Sequence, residues 1–318
     1  KYKEEMQMKK ATKCLLGGAL VILLLTPVSQ VKADWHQDNI GWWYSLNNGS
    51  YYKNQEVYID GKDYKFDSRG YMITGWQYNV YNGGDYSGWY YYDPVNGDKK
   101  MGWQLIDGKW YYLSAFGARF GGQNIDGKQY YFDPVNCDMK TGWISYPGYS
   151  GTEWNYYDPV SGEKATGWRN IDGKWYYFLP HALKGFQKIG DKRYYFDPVN
   201  SDMKTGWISK QGYPGLEWYY YDPESGEGLS GWQTIDGKTY CFDEFGKAFV
   251  GQRTLIDGKR YYFDPVTREL ITGWVELSGL KYYADPNDGG AFASNKTLII
   301  DGVSYTFGSG GYVINNEP

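Results

Sequence analysis

The side chains able to do chemistry in this chain are overwhelmingly aromatic. Fifteen Trp and 36 Tyr stand beside two His and three Cys in 318 residues. Ring faces carry the negative lobe of a quadrupole and attract cations, each contact being worth about 0.5–2 kcal/mol. A quaternary ammonium is bulky, positive and without hydrogen-bond donors, so several converging rings suit it better than a polar pocket does. With only His36 and His181 available, there is almost no material for a Ser-His-Asp triad, a Cys-His pair or a histidine-rich metal site.

The spacing of the rings is regular. Gly-Trp recurs at Trp42, Trp76, Trp89, Trp103, Trp143, Trp168, Trp207, Trp232 and Trp274. An Asp-Gly pair recurs at Asp60, Asp107, Asp126, Asp172, Asp236, Asp257 and Asp301, with Gly190-Asp191 in reverse order. Each pair is followed by an aromatic burst such as Trp110-Tyr111-Tyr112 or Trp175-Tyr176-Tyr177. The unit reads Gly-Trp, four residues, Gly, one residue, Trp-Tyr-Tyr, and is about 20 residues long.

Asp-Gly between short aromatic runs predicts a β-hairpin, because both residues tolerate the positive φ of a type I′ turn. A lone hairpin is marginal in water, so the hairpins must stack on one another. The expected fold is all-β, a solenoid of about 13 hairpins over residues 34–318. Long helical stripes and a two-layer α/β core are excluded by the 43 Gly and the scarcity of Leu, Ile and Val after residue 31. A longer period lies above the first: Trp76, Trp143, Trp207 and Trp274 are 67, 64 and 67 residues apart. Each block holds a long-turn hairpin, a short-turn hairpin, and a third with Gly122, Phe186 or Gln252-Arg253 at the tryptophan's place.

A two-residue turn at Asp107-Gly108 sets Leu105 opposite Trp110 and Trp103 opposite Tyr112. Strand alternation then puts Trp103, Leu105, Trp110 and Tyr112 on one face and Tyr111 on the other. In a stack, Trp103 and Trp110 look at the next unit's counterpart of Tyr111, which is Tyr130. The second Tyr or Phe of each burst reads as core. The tryptophans read as ligand-facing, since Trp is seldom fully buried and a plain core has no need of it so regularly.

Outside the repeat, residues 1–33 read as a secretory signal. A basic start is followed by an apolar run over 14–26 and the small-x-small pattern Val31-Lys32-Ala33. At 13 residues the run is short for a membrane span. Those 33 residues carry six Lys and two Glu, so the rest of the chain has a formal net charge of −8, against −4 for the whole. Such a balance disfavours nucleic acid and suits cationic ligands. Cys137 and Cys241 are expected to be free thiols. The Asp-Pro-Val segments at Asp93, Asp133, Asp158 and Asp197 read as connecting turns in preference to calcium loops.

The pattern of Gly-Trp, four residues, Gly-x-Trp-Tyr-Tyr behind a signal resembles the choline-binding proteins of streptococcal surfaces, over essentially all of the chain after the signal. The resemblance implies a left-handed β-solenoid of stacked hairpins, with choline held between two tryptophans of one repeat and a tyrosine of the next. Carried over, it implies sites at Trp103, Trp110 and Tyr130; Trp168, Trp175 and Tyr194; Trp76, Trp89 and Tyr111; Trp143, Trp154 and Tyr176; and Trp207, Trp218 and Tyr240. Thr239 and Lys281 replace the second tryptophan after Trp232 and Trp274, so those grooves should be weak or empty. The hairpins without Gly-Trp should open no site. The implied function is non-catalytic attachment to the bacterial wall through phosphocholine of teichoic acids, with no cofactor, no metal and no membrane insertion after signal cleavage. Wall hydrolases or host proteins are further partners the resemblance leaves open. A glucan-binding module of the same repeat type and a purely structural surface protein are the alternatives.

Overall fold

Every Asp-Gly pair of the repeat reverses the chain. Asp107 (φ 49°) and Gly108 (φ 76°) both lie in the left-handed region, which defines a type I′ turn and pairs Ile106 with Lys109. In the reversed pair only Gly190 (φ 62°) has positive φ, the type II′ solution to the same reversal. The glycine before each tryptophan has a separate job. Gly102 (φ 72°) and Gly167 (φ 63°) enter their hairpins in a conformation that a side chain would strain, so the Gly of Gly-Trp is a backbone requirement.

The computed structural model describes residues 32–81, 86–148, 151–212 and 215–317. The expected signal over 1–33 lies outside them apart from its last two residues. Among the described residues the chain forms thirteen separate antiparallel sheets of two or three strands, and no barrel closes. No helix there is long and apolar enough to cross a membrane. Two compact units divide the chain, one ending at Arg119 and the other beginning at Phe120.

Within each unit the hairpins stack through their aromatic faces. Burial falls on a tyrosine and on the residue two places after it, which is Phe66, Tyr92, Leu113, Phe178, Phe196 or Phe263. The second Tyr of the Trp-Tyr-Tyr bursts, Tyr112 or Tyr177, expected in the core, is only half-buried. Burial of such a side chain stabilises by about 1.5–3 kcal/mol. One cluster joins Ile171, Tyr176 and Phe178 to Trp143, Trp154 and Tyr156 of the preceding hairpin. Another joins Tyr240 and Phe242 to Trp207, Trp218 and Tyr220 in the same way. The core is thus a series of shared interfaces between neighbours, as expected of a solenoid.

The connecting segments are self-capped. Asp93 Oδ1 accepts the N–H groups of Val95 and Asn96 at 2.8 Å each, and Asp133, Asp158 and Asp197 repeat the arrangement. The Asn96 N–H bond and Lys100 hold the Asp93 carboxyl down at about 2. Cys137 (φ 61°) and Ser201 (φ 65°) occupy the left-handed position of this turn, where other copies carry Gly97 or Gly162. Cys137 and Cys241 are free and buried, and burial pushes the Cys241 thiol up to about 11. Ion pairs the motif does not announce link each hairpin to the connection beyond its neighbour. Lys128–Glu163, Lys238–Glu269 and Lys259–Asp288 each measure 2.5 Å, and Lys192 pairs with Glu227. Half-exposed pairs like these contribute little singly.

Candidate functional site

Three rings converge wherever a hairpin with both tryptophans meets the next hairpin of its unit. On the 167–178 hairpin Trp168 lies opposite Tyr177, and Asn170 lies opposite Trp175. That diagonal leaves the two indoles 6.3 Å apart and nearly perpendicular, at 81°. Tyr194 of the next hairpin stands 4.8 Å from Trp168, at 69°. The rings form three walls and not a closed stack, which leaves room for a compact cation against their faces.

The long-turn hairpins reach the same geometry. Trp143 and Trp154 are 11 residues apart in sequence where Trp168 and Trp175 are 7. The register is nevertheless equivalent, with Ser145 opposite Trp154 and Ser209 opposite Trp218, and the extra residues lengthen the two paired strands, Tyr146 opposite Glu153 and Lys210 opposite Glu217. Trp143–Trp154 and Trp207–Trp218 are both 6.4 Å. Tyr176 and Tyr240 complete the walls at 4.9 and 5.0 Å. In the first unit Trp76 stands 4.8 Å from Tyr111, while Trp89 lies opposite Tyr78 and edge-on to it at 5.3 Å. Tyr78 is an added ring that the repeat pattern does not announce. Trp103 and Trp110 are 6.3 Å apart on the 102–114 hairpin. Tyr130, expected with them, belongs to the first hairpin of the second unit.

The walls differ in access. Trp175 is 46% exposed, whereas Tyr194 is 7% exposed. The groove is therefore open at the second indole and floored by the tyrosine. Burial pushes the phenols of Tyr176, Tyr194 and Tyr240 up, so the floor is a neutral ring at physiological pH.

The chain's own cations occupy several rings, and repeat spacing alone does not reveal this. Arg268 sits 5.5 Å over Trp218 in the third block. Lys210 lies 5.0 Å over Phe186 and 5.6 Å over Tyr219, in a groove without Gly-Trp. Lys99 lies 4.4 Å over Tyr90 and pairs with Glu56 at 2.8 Å, where Glu56 stands at the place of a tryptophan. A charged residue at the tryptophan's place was the readable signal in that last case.

The grooves without the full ring set are not closed. A cavity of about 380 Å³ is lined by Gly122, Gln129, Tyr130 and Lys164, and one of about 450 Å³ by Phe186, Arg193, Lys210 and Tyr219. In these hairpins, expected to open no site, the missing indole leaves space that polar and charged groups line. Trp232 keeps its tyrosine, Tyr261, at 4.8 Å, but Thr239 replaces the second indole and a cavity of about 480 Å³ remains. Trp274 keeps Tyr305 at 4.7 Å, with Lys281 opposite Glu276.

The choline-binding repeat profile matches residues 120–166, 183–230 and 229–272, and the cell wall binding repeat profile matches 101–115 and 166–180. Among solved structures, CbpJ from Streptococcus pneumoniae TIGR4 is similar at 28% identity over 89% of this chain and 100% of that chain, with a TM-score of 0.50. Choline binding protein F from Streptococcus pneumoniae is similar at 26% identity over 89% and 99%, also with a TM-score of 0.50. A crystal structure of the latter in the presence of a peptidoglycan analogue matches at 28% identity over 89% of this chain and 99% of that chain, with a TM-score of 0.50. No curated protein sequence matches the chain.

Proposed function

This chain belongs to the choline-binding repeat family, and from that premise we propose that it is a non-catalytic wall-attachment protein. Its ligand is the phosphocholine of teichoic acids, taken up one head group per ring groove. The observation that carries the reading is the groove of Trp168, Trp175 and Tyr194, with indoles 6.3 Å apart and the phenol 4.8 Å from the first. The grooves of Trp143, Trp154 and Tyr176, of Trp207, Trp218 and Tyr240, and of Trp76, Trp89 and Tyr111 serve in the same way, as does the Trp103–Trp110 pair. A trimethylammonium in such a groove gives up little hydration and gains cation–π contact with each ring.

Single grooves of this kind bind weakly. Several on one rigid stack, facing a polymer that repeats its ligand, gain about 10²–10⁴ in avidity. Export and attachment follow from that use, and competition with wall hydrolases for the same head groups is a direct consequence. The test is retention on a tertiary-amine resin and release by free choline, alongside Trp fluorescence titrations with choline and with dextran. Saturable quenching by choline and none by dextran is expected. The reverse result assigns the rings to a glucan, and binding that persists on walls lacking choline refutes the anchor.

A further inference from the structure

The cavity at Gly122 differs from its sister groove in its charges: Glu56, Asp63 and Lys65 there correspond to Gly122, Gln129 and Tyr131 here. In the first unit the Lys99 backbone N–H bonds to Asp63 O, and its ammonium pairs with Glu56 at 2.8 Å. In the second unit Lys164 takes the equivalent place, its N–H bonding to Gln129 O and its backbone bridging Tyr157 as Lys99 bridges Tyr92. The position of Glu56, second in its strand and opposite Lys65, is held here by Gly122, opposite Tyr131. Removing the side chain therefore opened the cavity and withdrew the counter-charge together. Lys164 has no ion pair among the described residues, and burial alone pushes its ammonium below the ordinary value.

The rest of the lining is rich in hydrogen-bonding groups. Gln123, Asn124, Gln129 and Asn155 present amides, and the hydroxyls of Tyr146 and Tyr157 meet at 2.9 Å. Asn155 is held from behind by His181 Nδ1 at 2.9 Å, and His181 Nε2 is 2.9 Å from Glu153. That chain fixes the amide and keeps the Glu153 carboxylate on the far side of the imidazole. A quaternary ammonium has no indole here and meets a fixed like charge. The geometry points to a second ligand site for an acidic sugar, whose carboxylate or phosphate replaces the missing Glu56-type counter-ion at Lys164 while its hydroxyls bond the amides and phenols. About 380 Å³ accommodates one such ring.

The test is saturation-transfer NMR on the full chain in saturating choline, with glucose 6-phosphate and glucuronate as probes and glucose and inorganic phosphate as controls. Saturable binding of both acidic sugars is expected, about tenfold or more tighter than glucose or phosphate, since a hydrogen bond to a charged group is worth ~1.5–3 kcal/mol. Glucose 6-phosphate binding alone would assign the site to a phosphate ester, and glucuronate binding alone to a carboxylate. Gly122→Glu rebuilds the sister groove's ion pair and should abolish the signal. A Cβ at Gly122 meets nothing within 4 Å, and an unchanged unfolding midpoint verifies the fold. Lys164→Met should weaken binding about tenfold or more. No saturable binding, displacement by choline, or full retention in Gly122→Glu overturns the site. A parallel choline titration without sugar tests the attachment reading separately, so either can fail alone.

Discussion

The groove of Trp168 and the groove of Phe186 lie one hairpin apart and share a backbone, yet they differ in their rings and charges. Both place a ring of the first hairpin close to a buried tyrosine of the next, at 4.8 Å for Trp168–Tyr194 and 4.9 Å for Phe186–Tyr219. Only the first has a second indole across the strand. In the second groove Arg193 stands at that place and Lys210 lies over both rings. The ring-to-tyrosine contact is therefore common to both junctions, and the second tryptophan is what distinguishes the groove proposed to take a cation. Where it is lost, the chain brings its own cation or leaves a polar cavity.

The largest effect should come from removing the shared ring in each groove. Trp168→Ala and Phe186→Ala should each destabilise the protein by roughly 2–4 kcal/mol in denaturant titrations, since both rings pack across a junction. Choline stoichiometry by equilibrium dialysis should fall by one in Trp168→Ala and stay unchanged in Phe186→Ala. A lost site in both would erase the distinction between the grooves.

Removing the second indole should separate binding from packing. Trp175 is 46% exposed, so Trp175→Ala should remove one choline site while changing stability by less than about 1 kcal/mol. Gln129→Ala, at the corresponding position of the 121–132 hairpin, should leave the choline count as it is. Ligand found evenly at every junction in choline-soaked crystals would defeat this division.

A smaller change is expected in the third block. The Arg268 guanidinium over Trp218 competes with any ligand in that groove. An exposed cation–π contact is worth about 0.5–1 kcal/mol, so Arg268→Ala should tighten choline there roughly two- to fivefold. Equal affinity in calorimetry would mean that the guanidinium does not compete.

The mildest test concerns the connections, which should be indifferent to the rings. Asp93 is held at about 2, below its ordinary 3.8, so its contribution is fully present above pH 3.8 and lost as pH falls through 2. Asp93→Asn should lower the unfolding midpoint at neutral pH, and the gap from wild type should close towards pH 2. A gap that stays constant with pH would remove the carboxylate's charge from the account.

Much of the molecule was legible because its chemistry is local. Asp107-Gly108 specifies its turn from two residues, Gly102 its entry angle from one, and strand alternation then sends Trp103 and Tyr111 to opposite faces. The grouping of Trp103, Trp110 and Tyr130 could be written down from that alone once stacking was assumed, and the other ring sets were implied by the family resemblance. Tyr78 and the ion pairs such as Lys238–Glu269 stayed hidden, because each depends on which segments a register or a connection brings together.

The sequence by itself determined the hairpin, its period and the residues that face a neighbour, since each follows from φ preferences and two-residue alternation within about twenty residues. The tertiary structure decided what each groove contains. Whether Trp154, 11 residues from Trp143, stands where Trp175 does depends on the register in which the longer strands pair, Ser145 opposite Trp154 and Tyr146 opposite Glu153. Whether Lys210 or Arg268 fills a ring face, and whether Lys164 finds a carboxylate or an empty cavity, depends on side chains more than twenty residues away. Those distances are set only when one hairpin packs on the next.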